Sequence, residues 1–428
     1  MSHTETERRV LEAVEAEFEP TVARIQAAVQ RPSITGHEGR VQDLMAEMLR
    51  ATGMDVDLWE PRHEDFREAG YPEYVAEEPP FTGRPNVVGV LTGTGGGRSI
   101  AINGHSDVVP AGDETVWTYP PFSATRADGR IYGRGSTDMK GGLIAGIGAI
   151  RAIRVAGVRL RGDVMVQSVI AEESGGAGTL AAVLRGHIAD GVLIAEPTQL
   201  NITPAGGGCL MFRITVHGRS AHAALRYEGE SALEHWYPLH AALLALEAER
   251  NRTIHHPLYE HLPNKFPFNV GRLEAGNWPS SVPETLVAEG RFGILPGEEM
   301  EAVRASFART LNEAARNDPW LRAHPPELAW YGAQFGTAEI AADHPLVRTL
   351  HDACVDAMGR EPGIEGVAWG SDMRFFTEIA HVPAVLFGPG NVALAHYTDE
   401  FVLEEEIRQA MRVDAFTILR WCGSADGD

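Results

Sequence analysis

Apolar positions change their period along the chain, and the changes outline a fold. From Glu5 to Gln30 and from Glu38 to Thr52 they recur at helical spacing, with Pro32, Gly36 and small polar residues between. The segment Pro61–Arg84 is rich in Pro, Glu and Tyr and shows no period, which predicts a long surface loop. Short apolar runs then alternate with helical ones. Strands are expected at Asn86–Leu91, Ser99–Asn103, Asp163–Ile170 and Val192–Ala195, and helices at Met139–Ile153 and Gly178–Leu184. This βαβ rhythm predicts a mostly parallel sheet with helices on both faces.

Near Leu200 the rhythm changes. Leu210–Val216, Phe268–Leu273 and Leu286–Ile294 alternate as strands. Ser231–Glu249 and Glu298–Arg316 have helical spacing, with Pro238 a source of a kink in the first. That β-α-β-β-α order predicts a small α+β unit with an antiparallel sheet. After Pro319 the first style returns, with a helix at Pro345–Met358, a strand at Ala384–Phe387 and a helix at Leu403–Arg420. The expectation is an α/β domain made of residues 1–199 and 318–428, interrupted by an α+β domain at 200–317.

Composition narrows the function. A chain of 428 residues exceeds one typical core and suggests two domains. With 37 basic and 59 acidic residues the formal charge is −22, which repels nucleic acid and anionic membranes. No apolar run of about 18 residues is present, so no membrane span is expected. No apolar stretch follows Met1, so no secretory signal is expected either. The three cysteines, Cys209, Cys354 and Cys422, are scattered, which suits a reducing cytosol and excludes a thiolate metal cluster. Any metal must be held by imidazole and carboxylate, and 17 histidines are available. The glycines at Thr92–Gly97 and Gly206–Gly208 do not form the GxGxxG of a dinucleotide site.

Five places carry candidate chemistry. In SIAINGHSDVVP (Ser99–Pro110) an apolar strand ends at Gly104 and His105 follows, with Asp107 two residues on and able to face the same side. Such an aspartate can fix the second nitrogen of a metal-bound imidazole; the ordinary alternative is a loop histidine near an acid. In IYGRGSTDMKGG, Asp138 stands where a glycine-rich turn enters a helix, as an N-cap or as a bridging metal carboxylate. The strand Asp163–Ala171 runs into Glu172-Glu173, adjacent carboxylates whose repulsion a cation would remove, unless they are a solvated acidic turn. One could ligate metal while the other serves as general base. Glu196 ends a buried strand, where a salt bridge would also satisfy it. His396 follows the loop GPGNVALA and precedes acids. Jointly, two histidines and three carboxylates (His105, Asp138, Glu173, Glu196, His396) match the needs of a pair of borderline divalent metals.

These segments, in this order, resemble the co-catalytic two-metal family of aminoacylase, acetylornithine deacetylase, succinyl-diaminopimelate desuccinylase, carboxypeptidase G and related dipeptidases. The likeness rests on GHSDVVP, a Pro-Pro-Phe followed by YGRGSTDMKGG, EESGG, EPT, GRSAH and AHYTDE. It implies two divalent ions, zinc foremost with cobalt or manganese as alternatives. His105 and Glu196 would hold one ion, Glu173 and His396 the other, with Asp138 between them. Asp107 would orient His105, and Glu172 would be the general base. His222 of GRSAH would help hold the oxyanion, arriving from the partner subunit in dimeric members. The smaller domain would be a lid that also dimerises.

The chain departs from the pattern at substrate contacts. Ser280 in AGNWPSSVPE stands where many members have asparagine, and Gly293 where many have arginine, with Arg291 two residues earlier on the same strand face. Arg374 in WGSDMRFF matches the family arginine, suited to a carboxylate or to a core ion pair. The WPSSVP variant resembles a deacylase branch that includes a deformylase of a thiamin-salvage pyrimidine. The expected activity is hydrolysis of a small N-acylated amine or amino acid, of deacetylase, deformylase or desuccinylase type. A dipeptidase or carboxypeptidase is the alternative. A non-catalytic metal-binding protein is a third, opposed by retention of Glu172 with all five ligands. The expected partners are a small-molecule amide and a second copy of the chain.

Overall fold

The first helix, Glu5–Val29, begins at a capping box: the Thr4 hydroxyl accepts from the Glu7 amide, and the Glu7 carboxylate accepts from the Thr4 amide. The computed structural model describes residues 3–76, 78–332 and 334–425. These divide into one unit built from 3–204, 339–365 and 372–425 and another built from 205–338 and 366–371.

In the first unit a mixed sheet runs in the order Asp55–Trp59, Asn86–Leu91, Val164–Val169, Ile100–His105, Val192–Ile194, Ala384–Leu386. The inner four strands are parallel, with His105 opposite Val169, and Ile194 opposite both Asn103 and Leu386. The two outer strands at the Asp55 edge pair antiparallel. Inner strands covered on both faces are mainly apolar, and Ile100–His105 is buried at every position. Helices Gly141–Val155 and Glu404–Cys422 pack on that strand, while Gly39–Ala51 and Ala177–Leu184 pack on its neighbours. Gly146 lets the helix Gly141–Val155 close on Ile102, because an added Cβ there would lie 2.7 Å from its Cδ1. A separate three-stranded sheet joins Arg126–Ala127, Arg130–Tyr132 and Phe401–Leu403, setting Phe401 opposite Tyr132.

The expected loop Pro61–Arg84 is partly helical. It holds a helix at His63–Ala69 and a 3₁₀ turn at Pro72–Val75. Phe66 is the one buried residue of that helix, stacked on Phe81 at 5.8 Å, so no apolar period shows in the sequence. The Asp65 carboxylate accepts from the Arg62 amide and starts the helix.

The second unit is an antiparallel sheet in the order Phe268–Ala275, Thr285–Ile294, Gly208–His217, Glu327–Trp330. Helices Ala232–Thr253 and Met300–Arg316 pack together over it. Leu210, Phe212, Ile214 and Val216 alternate inward to a core with Trp236, Phe292 and Phe307. The helix at Ala232 runs past Pro238 to Thr253. This unit is longer than the expected 200–317, because Glu327–Trp330 adds to the free edge of Gly208–His217 and 366–371 joins it.

Candidate metal centre

Parallel strands deliver their carboxyl ends to one edge of the sheet, and that is where this chain places its acids and imidazoles. His105 ends its strand, Glu172 and Glu173 follow Val164–Val169, Glu196 follows Val192–Ile194, and the loop after Ala384–Leu386 leads to His396. Asp138 comes from the turn before helix Gly141–Val155.

Asp138 divides its carboxylate between two histidines. Its Oδ1 lies 3.0 Å from His105 Nε2 and its Oδ2 lies 3.5 Å from His396 Nε2. Glu173 lies 3.1 Å from the same His396 nitrogen. Ligand atoms of His105, Asp138 and Glu173 all fall within 4.8 Å of one another. Glu172 Oε2 stands 4.0 Å from His105 Nε2.

Asp107 serves in two ways, and neither is the expected one: its backbone, not its side chain, meets His105. Its backbone carbonyl accepts from His105 Nδ1 at 2.9 Å, whereas its carboxylate is 3.7 Å from that nitrogen. The carboxylate instead accepts from the amides of Glu172 at 3.1 Å and Glu173 at 3.2 Å and from the Thr35 hydroxyl at 2.9 Å. It therefore fixes the backbone of the Glu172-Glu173 turn.

Charge is unbalanced here. Burial pushes the Glu172 carboxyl well above its usual range, reinforced by the charge of Asp372. Burial and the charge of Asp138 do the same to Glu196. Burial pushes Asp107 up to about 7, against the pull of His105. Burial disfavours a charged His105, but its hydrogen bond to Asp138 and the charges of Asp138, Glu172 and Asp107 together outweigh this and raise it well above the ordinary value. Hydrogen bonds to Asp138 and Glu173 push His396 up to about 10. Asp138 is raised by burial and lowered more by His105 and His396, so its carboxyl ends below the usual range. Protons thus sit between groups that all offer lone pairs inward. A divalent cation suits this donor set, replacing the shared protons and offsetting the crowded acids. His105, Asp138, Glu173 and His396 fit a metal pair, with Glu196 beside them.

The other expected site residues have partners of their own. Arg374 is buried, donates to the Gly175 carbonyl at 2.7 Å and lies 4.3 Å over the Phe375 ring, so it braces the turn after Glu173. In the second unit, Arg291 donates to the Ala368 carbonyl at 3.2 Å. His222 and Ser280 belong to two paired segments: His222 is bridged to Ser281, and the Ser280 carbonyl accepts from the Ala223 amide at 2.9 Å. His222 Nδ1 accepts the Ala224 amide at 3.2 Å, which leaves the proton of the neutral ring on the exposed Nε2. Sequence reasoning missed the buried Asp372 and the buried residues Arg134, Lys140 and Glu400 behind Asp138. The one signal for them was charge inside otherwise apolar or glycine-rich motifs.

A mixed α/β sheet that gathers histidines and carboxylates at the ends of its parallel strands, with a further glutamate beside them, defines a metal-dependent hydrolase acting on amides. The chain belongs to peptidase family M20/M25/M40, whose pattern matches residues 101–420. It is 28% identical over 410 residues to the N-formyl-4-amino-5-aminomethyl-2-methylpyrimidine deformylase of Bacillus subtilis, covering 91% of each chain. It is 26% identical over 333 residues to a probable succinyl-diaminopimelate desuccinylase of Staphylococcus aureus, covering 72% of this chain and 79% of that one. The fold matches human carnosine dipeptidase 1 with a TM-score of 0.78 at 18% identity, over 98% of this chain and 100% of that chain. Among the described residues no helix is long and apolar enough to cross a membrane.

Proposed function

We propose that the protein removes a small acyl group, formyl, acetyl or succinyl, from a primary amine. The observation that carries this is the pairing of Glu172 with the His105–Asp138 cluster, 4.0 Å from His105, in a chain similar along 91% of its length to a deformylase. Two divalent ions, zinc foremost, would be held by His105, Asp138, Glu173, Glu196 and His396. When bound they would polarise the amide carbonyl and acidify a water. Glu172 takes the proton of the attacking water and returns it to the leaving amine, so that the amine departs neutral. The Asp107 carboxylate keeps the Glu172 backbone in place for both transfers. Exposed His222 donates from Nε2 to the oxyanion.

The test is a hydrolysis screen of metal-loaded protein against N-formyl, N-acetyl and N-succinyl amines and a set of dipeptides. Release of one amine, abolished by a chelator and restored by added metal, is expected. Turnover of dipeptides alone would reject the deacylase reading.

We also propose that the protein is a cytosolic homodimer in which His222 serves the partner's site. The exposed strand Phe268–Ala275, with Leu273 outward, and the exposed Tyr237 and Leu244 on helix Ala232–Thr253 support an interface there. His222→Ala and Glu172→Gln should each be nearly inactive with metal retained. Dimers re-formed from an equal mixture of the two should regain about a quarter of the parental activity, because each mixed dimer holds one site with both residues intact. No recovery on mixing would place His222 in its own subunit's site or outside the chemistry.

A further inference from the structure

Behind Asp138 lies a buried carboxylate that the hydrolytic steps do not use. Glu400 is fully buried. Its Oε1 accepts the amides of Gly135 at 2.9 Å, Thr137 at 2.9 Å and Asp138 at 3.2 Å. Its Oε2 accepts the Arg134 guanidinium at 2.7 Å. Amides of one turn converging on a single oxygen form an anion nest, here filled by the chain's own side chain. Gly135 at φ 82 supplies the left-handed residue such a turn needs.

The same pair ties together other segments that carry site residues. Arg134 also donates to the Tyr397 carbonyl at 3.3 Å, next to His396, and to the Pro110 carbonyl at 3.4 Å, three residues beyond Asp107. The Gly133 amide donates to the Glu400 carbonyl at 2.8 Å. The pairing of Arg130–Tyr132 with Phe401–Leu403 brings these strands side by side.

We propose that Glu400, held by Arg134, is a positioning residue that aims Asp138 and the His396 loop, and thereby sets the metal affinity of the centre. This rests on reading Asp138 and His396 as ligands. A carboxylate shared between two ions must point each oxygen correctly, so a small swing of its backbone weakens both sites at once. Glu400 fixes that backbone directly at the Asp138 amide. A neutral glutamine could still accept the three amides through its one oxygen. Its NH₂ would then face the Arg134 guanidinium, donor against donor, and Arg134 would release its two carbonyls.

The test uses the full chain freed of metal and titrated with Co²⁺ against a competing chelator, with circular dichroism and the visible spectrum of bound Co²⁺ recorded. Glu400→Gln should stay folded, bind Co²⁺ about 10–100-fold more weakly and shift the Co²⁺ bands, as loss of an outer partner of a ligand does. Arg134→Lys, which keeps the charge and drops the carbonyl contacts, should shift both readouts in the same direction by less. A folded variant at either position with affinity within about twofold of the parent and the same spectrum overturns the proposal, and so does a loss of stability with affinity unchanged. Asp138→Ala separates the two readings. If it loses Co²⁺ while the Glu400 variant does not, the role of Glu400 alone fails. If Asp138→Ala binds Co²⁺ like the parent, the metal-centre reading fails with it.

Discussion

Glu172→Gln is expected to lower kcat by about three orders of magnitude while metal content stays at the parental level, the range typical of losing a positioned general base. Glu172 is buried at 8% exposure and its backbone is pinned by Asp107, so the amide fits the same space without moving the turn. What the amide loses is the ability to take a proton. Burial and the neighbouring charge of Asp372 push the Glu172 carboxyl up, which makes its ionised form a stronger acceptor of the water proton. Glu173, the adjacent residue, is the one facing His396 at 3.1 Å, so the two acids divide the work. The check is steady-state kinetics on the amine found in the screen, with metal measured on the same samples. A rate within tenfold of the parent, or loss of metal, would remove Glu172 from the base role.

The sheet was legible because, inward of its edge strand Asp55–Trp59, its strands are largely buried and read as mainly apolar runs. Asn86–Leu91 has the boundaries its pattern predicts, and Ile100–His105 is shifted only slightly. Asp55–Trp59 was not legible, since an edge strand with two of its five residues exposed and none buried leaves no long apolar run. The site was legible for the same reason as the sheet: His105, Glu172, Glu173 and Glu196 stand where apolar runs stop. His396 lacks that mark. It sits in a loop at φ 61 with its side chain half exposed, and was found through its motif. The supports behind these residues were hidden. Glu400 and Arg134 meet only because Phe401–Leu403 pairs with Arg130–Tyr132, and strands this short carry no period. The side-chain role of Asp107 was misplaced because spacing of two gives a shared face but does not say whether carbonyl or carboxylate makes the contact.

Asp414→Asn is expected to stabilise the protein increasingly as pH rises. Asp414 lies on helix Glu404–Cys422 at 7% exposure, 3.6 Å from where a Cβ on Gly146 would stand, and burial pushes its carboxyl up to about 8 from 3.8. Between those values the folded state keeps a proton that the unfolded chain releases. Folding therefore binds a proton, and unfolding free energy falls with pH by at most about 1.4 kcal/mol per unit. The contribution is full below about pH 4 and lost as pH rises through about 8. Asparagine has a similar shape and cannot ionise, so the variant escapes that loss. The nearby Cys354 thiol is itself pushed far up by burial and stays neutral across this window, so it adds no competing step. Thermal melts of parent and variant should nearly coincide near pH 4. At pH 8.5 the variant should melt roughly ten degrees higher, since a slope of about 1.4 kcal/mol per unit over the roughly four units between 3.8 and about 8 sums to about 5 kcal/mol, at about 2 °C or more per kcal/mol for a large domain. A difference that does not change between the two pH values would mean that the Asp414 carboxylate stays ionised in the fold, with the helix paying nothing for its charge.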